Sequence, residues 1–486
     1  MRRLAESTLS HVPGEIARPD YDRRAINTGI VHLGIGAFHR AHQAVIFDQA
    51  LRTGDHRWGI VGASLRSPTV RDQMIPQEGL YSVVVRDGAH DSIRIVGAVR
   101  DVLVAPDDPA RLVEALAHPA VHLATLTVTE KGYKLDPATG SLIEDDPDVA
   151  ADLLSLTAPR TTAGFLVAAL ACRRAAGIPP FTALSCDNLP DNGPRLRDAV
   201  LAIAGRHDPH LRDWIAEEVA FPQSMVDRIV PATDEDDIAA LSTRLGVQDR
   251  AMVKTEPFLQ WVIEDRFCSS RPAFETLGVQ LTHSVAPWEE AKLRLLNGAH
   301  SGIAYLGGLA GLDFVDQFVA LPAACSFVET LWDEAVETLS PPAELDITGY
   351  RAALMQRFAN PALQHRTRQI AMDGSQKLPQ RLLAPIANRL ERGQNVDKLA
   401  LAVAAWMRWQ GGRDDNDQPF IVDDPLAAVT AARLRGLNSA EEQVAALLSI
   451  DAIFPPALAM RADFRQILTQ HLVSLTQRGA LATIGT

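Results

Sequence analysis

Nowhere in this 486-residue chain do about 18 apolar residues follow one another, so no membrane-spanning helix is expected. Cysteine is scarce. Cys172, Cys186, Cys268 and Cys325 stand far apart and form no CxxC pair, which in a chain this long points to reduced cytosolic thiols and a cytoplasmic protein. Basic residues are outnumbered, 47 Lys and Arg against 60 Asp and Glu, and the formal charge is −13. That balance argues against a nucleic-acid or anionic-membrane partner, since both need basic patches. Phosphate can still be bound locally, through backbone amides rather than net charge. The opening MRRLAESTLS has Arg2 and Arg3 but no unbroken apolar run behind them, so a signal peptide is not expected. No internal repeat or low-complexity tract is evident.

What is present is the composition of an ordinary globular protein, 47% hydrophobic and 22% charged, long enough for two or three domains. Strand-like and helix-like stretches alternate at first. Residues 29–34, 58–65, 81–87, 92–99, 121–129 and 181–188 read as strands; residues 41–51, 107–119 and 162–176 read as helices. Such alternation predicts a parallel, doubly wound sheet, with residues 81–99 as a hairpin added to it. From about Ser284 helical patterns dominate, at 288–309, 324–339, 346–358, 378–392, 396–408, 425–435, 439–450 and 461–478. The expected fold is α/β: a Rossmann-type domain over residues 1–283 and a mostly α-helical domain over residues 284–486.

Gly34-Ile35-Gly36-Ala37-Phe38-His39 follows a strand and precedes a helix. A dinucleotide pyrophosphate meets backbone amides at such a junction: the first glycine makes the tight turn and the second lets backbone approach phosphate. The third glycine of that fingerprint is replaced by His39. The next strand ends in Leu65-Arg66 with no acid before Asp72, so NAD is not singled out and Arg66 could meet the 2′-phosphate of NADP. His39 and His42 are spaced like metal ligands, but no third ligand lies at metal-like spacing, and packing beside the cofactor is the expected role.

PWEEAKLRLLNGAHSGIAYLG (287–307) is the most informative segment. At about 100° per residue, Glu289, Lys292, Asn297 and His300 project within an arc of about 140° on an otherwise apolar helix. Polar groups gathered on such a face are costly to bury without a partner or a task. Alcohol oxidation supplies one: as hydride leaves the carbinol carbon, the hydroxyl proton needs a base. A lysine desolvated in a cleft is tuned toward that work. Asparagine NH₂ groups can steady the developing alkoxide, Asn297 from this helix and Asn188 from the end of FTALSCDN.

IVHLGIGAFHRAHQA (30–44), LTVTEKGY (126–133), FTALSCDNLPDNG (181–193), FPQSMVDRIVP (221–231), EPFLQWVIEDRF (256–267), PWEEAKLRLLNGAHS (287–301) and QIAMDGSQKLPQR (369–381) occur in that order. Through them the whole chain resembles the polyol-specific long-chain dehydrogenase/reductase family, which includes mannitol 2-dehydrogenase and fructuronate reductase (D-mannonate oxidoreductase). The resemblance implies NAD-dependent, metal-free chemistry on a Rossmann-type domain followed by a helical one. It implies Lys292 as general acid/base, Asn188 and Asn297 as an oxyanion hole, and His300 at the reactive oxygen or an adjacent hydroxyl. It further implies Glu289 on the proton's route to solvent, Asp227 near the nicotinamide, Thr129 and Glu130 at the cofactor, and Lys377 at the substrate.

Two departures bear on the substrate. Gln369 stands where mannitol enzymes carry an arginine, and Lys131 where they usually carry glycine. The segment 357–381 looks like fructuronate reductases throughout, and a substrate carboxylate needs cations such as Lys377, Arg366, Arg368 and Arg381. A keto sugar acid is therefore expected, D-fructuronate/D-mannonate, with D-mannitol/D-fructose as the alternative. The enzyme is expected to be a monomer or small homo-oligomer.

Overall fold

The β-branched and apolar runs of the first half become one parallel sheet in the computed structural model, which describes residues 1–88, 90–136 and 139–485. Its strands are β1 (Thr28–Leu33), β2 (Gly59–Ser64), β3 (Val99–Val104), β4 (Leu123–Leu126) and β5 (Thr182–Ser185). All pair in parallel, in the order β3-β2-β1-β4-β5. The order reverses between β1 and β4, the switch point beyond whose strand ends open α/β sheets take ligands. Successive residues of β1 face opposite cores. Ile30 packs with Phe47, Trp58 and Ile60, whereas Val31 and Leu33 pack with Leu112, Phe165 and Leu170. Both faces are covered, which is why these strands read as apolar runs rather than alternations.

The Rossmann-type architecture is thus as expected, with two local corrections. Residues 92–99 are not one strand. Tyr81–Asp87 and His90–Val96 form an antiparallel hairpin, and the chain then turns into β3, which belongs to the main sheet. The ladder ends at Gly97 because the buried Asp48 carboxylate accepts its N–H (2.8 Å) and Arg23 Nε donates to its carbonyl (3.0 Å). The helix expected over 41–51 begins earlier and is broken, as Ala37–Ala41 and Gln43–Arg52. At the break, His42 (φ −117°, ψ −91°) has its Nε2 2.9 Å from the Gln260 carbonyl.

The described chain divides into two units, Met1–Val285 and Ala286–Thr486. In the second, the periodic stretches form helices including Pro322–Val336, Ile347–Phe358, Asp397–Trp409 and Ala462–Arg478. Gly298–Leu309 is buried along its whole length, and Asp397–Trp409, Pro322–Val336 and Thr367–Ile370 pack against it. Among the described residues, no helix is long and apolar enough to cross a membrane.

Candidate active site

Beyond β1 the two glycines do different things. Gly34 has φ +96°, and a Cβ there would lie 2.1 Å from the Thr127 carbonyl oxygen. Only glycine fits, and the reason lies within the chain. Gly36 is exposed, and a Cβ there would meet nothing nearer than the Gly34 oxygen at 3.8 Å. Its bareness leaves open space above the turn. Ile35 is buried against Gly62, and Ala37 and Phe38 are half-buried. His39, 0% exposed, stacks on His32 with ring centroids 3.3 Å apart. His32 in turn spans Thr125 Oγ1 (2.8 Å) and Thr127 Oγ1 (2.9 Å), and burial pushes its pKa down to about 3. Of the two histidines of FHRAH, His39 is therefore a buried, stacked ring and His42 a buried ring bonded to the Gln260 carbonyl. Among the described residues no three His, Cys, Asp or Glu side chains gather as metal ligands. Arg66 is exposed just past β2.

At the ends of β4 and β5, two residues that motif reading passed over, Asp187 and Asn192, join ones that it named. Thr129 adopts φ +65°, ψ 163°, a region that is essentially glycine's own and that holds a β-branched residue at a strain of about 1–3 kcal/mol. Asp187, 7% exposed, accepts from Thr129 N (2.7 Å), Val128 N (3.1 Å) and the Tyr133 hydroxyl (2.7 Å). Burial pushes its carboxyl pKa up, and those three donors pull it back. The next residue, Asn188, is exposed, as are Thr129 and Glu130. Buried Asn192 donates to the Asp187 carbonyl (3.0 Å) and exchanges two bonds with Ser224, the first residue of the strand Ser224–Asp227. Asp227 is buried at that strand's end.

In the second unit the helix drawn above at 100° per residue is not regular. Ala286–Ala291 and Gly298–Leu309 are α-helical, but Lys292–Asn297 between them is π-helical. Its i→i+5 repeat draws Lys292 and Asn297, five apart, toward one stripe, where a regular α-helix would set them about 140° from each other. The wide turn has identifiable partners. Trp332 Nε1 donates to the Leu295 carbonyl (2.8 Å), and a second π-segment, Pro379–Leu383, packs against it. Lys292 is only 7% exposed, while Asn297 and Glu289 are half-buried. Arg294 is tied down separately, through Thr338 and an ion pair with Glu290.

His300, 7% exposed, has a buried Nε2 without a hydrogen-bond partner among the described residues. Its ring lies 4.7 Å from Phe358 and 5.0 Å, edge-on, from His365. Burial, then His365, Arg357 and Arg381, hold its pKa well below the usual histidine value, and burial and Arg357 push His365 down to about 4. Both rings are neutral at pH 7. Arg381 donates to Ser301 Oγ (3.3 Å), and burial lowers its pKa to about 10. Lys377 donates to the Met372 carbonyl (2.5 Å), and its pKa is lowered by burial and then by Arg381. The basic run thus separates into two parts. Arg381 is half-buried near Ser301 and His300, and half-buried Lys377 pairs with Asp373 (3.7 Å), whereas Arg366 and Arg368 are exposed and sit over the Phe314 and Phe420 rings, with Gln369 exposed beside them. His365, Arg357, Asp187 and Asn192 escaped the sequence reading. All four lay inside segments already singled out, 181–193 and 357–381, and only their neighbours were weighed.

Residues 28–276 match the mannitol dehydrogenase Rossmann domain, and residues 284–476 match the mannitol dehydrogenase C-terminal domain. An uncharacterized oxidoreductase of Escherichia coli K12 is 44% identical over 485 residues, covering 99% of this chain and 98% of that one. The D-mannonate oxidoreductase of the same organism is 41% identical over 471 residues, 96% of each chain. The structure of Pseudomonas fluorescens mannitol 2-dehydrogenase, a ternary complex with NAD and D-mannitol, is 36% identical and superposes with a TM-score of 0.83 over 99% of this chain and 98% of that one. With both halves matched in order and relatives above 40% identity along nearly the full length, this chain belongs to the mannitol dehydrogenase family of oxidoreductases.

Proposed function

We propose that the protein moves hydride between NAD and an open-chain keto sugar acid of the D-fructuronate/D-mannonate kind, with Lys292 as the proton-transfer group. The observation that carries this reading is a buried Lys292 on a π-helical turn, with Asn297 one i→i+5 step on and a neutral His300 following. The glycine turn suits a dinucleotide: it lies at the sheet's switch point, Gly36 leaves room for phosphate, and a helix follows whose first amides lack intrahelical acceptors. Gly34–His39 would hold the pyrophosphate, with Thr129, Glu130 and Asp227 as further cofactor residues. Arg66 keeps NADP compatible with the same site. Bound there, the nicotinamide supplies the hydride acceptor.

In oxidation Lys292 Nζ, as the neutral amine, takes the hydroxyl proton; in reduction the ammonium returns it to the carbonyl oxygen. Asn297 and Asn188 donate N–H to that oxygen as charge develops. His300 hydrogen-bonds the reactive oxygen or its neighbouring hydroxyl through Nε2, and Glu289 passes the proton toward solvent. His300 as the base is the second reading; its depressed pKa makes it a poor proton acceptor near neutrality.

Lys377 and Arg381, with Gln369 in place of the arginine of mannitol enzymes, support a carboxylate-bearing substrate. NADH oxidation with fructuronate, tagaturonate and fructose tests this. A charge-assisted contact is worth about 1.5–3 kcal/mol, so fructuronate should exceed fructose at least roughly tenfold in kcat/KM. Arg381→Gln and Lys377→Ala should erode that preference. Faster turnover of fructose would return the substrate to the D-mannitol/D-fructose pair.

A further inference from the structure

We propose that Asp187 is a positioning residue that holds Thr129 in its strained conformation, and so locks the cofactor-side loop after β4 to the Asn188 end of β5. The inference rests on the cofactor reading given above and goes beyond it. Asp187 touches none of the reacting atoms in that reading; it acts through its neighbours.

Two consecutive backbone N–H groups, of Val128 and Thr129, converge on its carboxylate, one on each oxygen. Consecutive amides of an extended strand point to opposite sides, so the peptide must rotate for both to reach one acceptor. The rotated state is the one at φ +65°, ψ 163° that threonine avoids. The Tyr133 hydroxyl, also on Oδ2, closes the far side of the loop. The same residue is held at its backbone: its carbonyl accepts from Leu189 N (2.9 Å) and Asn192 Nδ2 (3.0 Å). Asn192 carries the tie to Ser224 and hence to the strand that ends in Asp227. One carboxylate therefore fixes the loop bearing Thr129 and Glu130 relative to the turn bearing Asn188. A strained residue persists only where its surroundings over-determine it, and here they do.

The test uses the full chain, with NADH affinity read by fluorescence titration, kcat by turnover, and folding by cooperative melting. Asp187→Asn keeps the shape but turns an NH₂ toward backbone donors. It should raise the NADH Kd about tenfold or more and lower kcat in protein that still melts cooperatively. A purely structural residue would lower Tm and leave both constants of the folded protein alone. Adding Thr129→Gly to Asp187→Asn should recover folding and at least part of the lost NADH affinity relative to Asp187→Asn alone, because glycine takes this conformation unaided. The rescue also decides the matter if Asp187→Asn alone does not fold. Parent-like constants in Asp187→Asn overturn the proposal, as does a double variant that fails to fold or binds NADH no better. Gly36→Val separates the two readings. If it abolishes NADH binding while Asp187→Asn leaves it intact, only the role of Asp187 falls; if it too binds NADH normally, the cofactor reading falls.

Discussion

The two units prepare their candidate residues in opposite ways. In Met1–Val285 the groups around the glycine turn and the ends of β4 and β5 are tied to one another: His32 to two threonine hydroxyls, Asp187 to three donors, Asn192 to both sides of Ser224. Backbone is being held in a set shape, and Gly36 supplies the room. In Ala286–Thr486 the titratable groups around His300 are cationic or neutral, Arg357, His365 and Arg381, and among the described residues its Nε2 has no partner. A buried polar atom without a partner is costly unless something arrives to bond it. The first unit holds backbone in shape around an open glycine turn; the second gathers cationic and neutral groups around a buried imidazole.

The largest effect should come from the second unit. Lys292→Ala should lower kcat by about 10²–10⁴, the usual worth of a positioned proton-transfer group, with NADH affinity and cooperative melting retained. Small primary amines should restore part of the rate by occupying the vacated space. A folded variant that keeps most of its turnover would transfer the chemistry to another group, with His300 the next to examine.

Within the first unit the two glycines can be split. Gly36→Val should weaken NADH binding at least about tenfold, more than 1.4 kcal/mol, with little change in Tm, since its side chain meets only open space. Gly34→Ala should do the reverse and destabilise the fold, because its Cβ would strike the Thr127 carbonyl from a left-handed backbone. If both variants lost stability equally, the distinction between a structural and a ligand-facing glycine would collapse.

The smallest effect is a pH dependence in the second unit. His365 is half-buried and held neutral, with its pKa lowered from 6.5 to about 4. Between those values the unfolded chain binds the proton more readily, so stability rises with pH through that window and is lost as pH falls below about 6.5. Melting wild type and His365→Gln at pH 7 and pH 5 should show the variant losing about 1–2 kcal/mol less on acidification. Identical acid sensitivity would mean that His365 is not held neutral by its surroundings.

Much of this was legible in the chain. Strand and helix periods gave the sheet and most helices of the second unit, because each period reflects one buried face and survives in any window of ten or so residues. The glycine turn and the PWEEAKLRLLNGAHS segment stood out as candidates by residue type and spacing. Boundaries were less legible: the run at 92–99 hid a turn at Gly97 that depends on Asp48 and Arg23, both far off in sequence.

By itself, then, the sequence determined the layered fold and the family, since these follow from local pattern and identity, and it offered candidates for the site. Tertiary structure alone decided the rest. The π-turn that aligns Lys292 with Asn297 depends on packing by Trp332 and Pro379–Leu383. The neutrality of His300 follows from burial beside Arg357, His365 and Arg381. The strain at Thr129 comes from a carboxylate 58 residues away. Each of these is a sum over neighbours that the chain brings together only on folding, through desolvation and long-range hydrogen bonds that no local window contains.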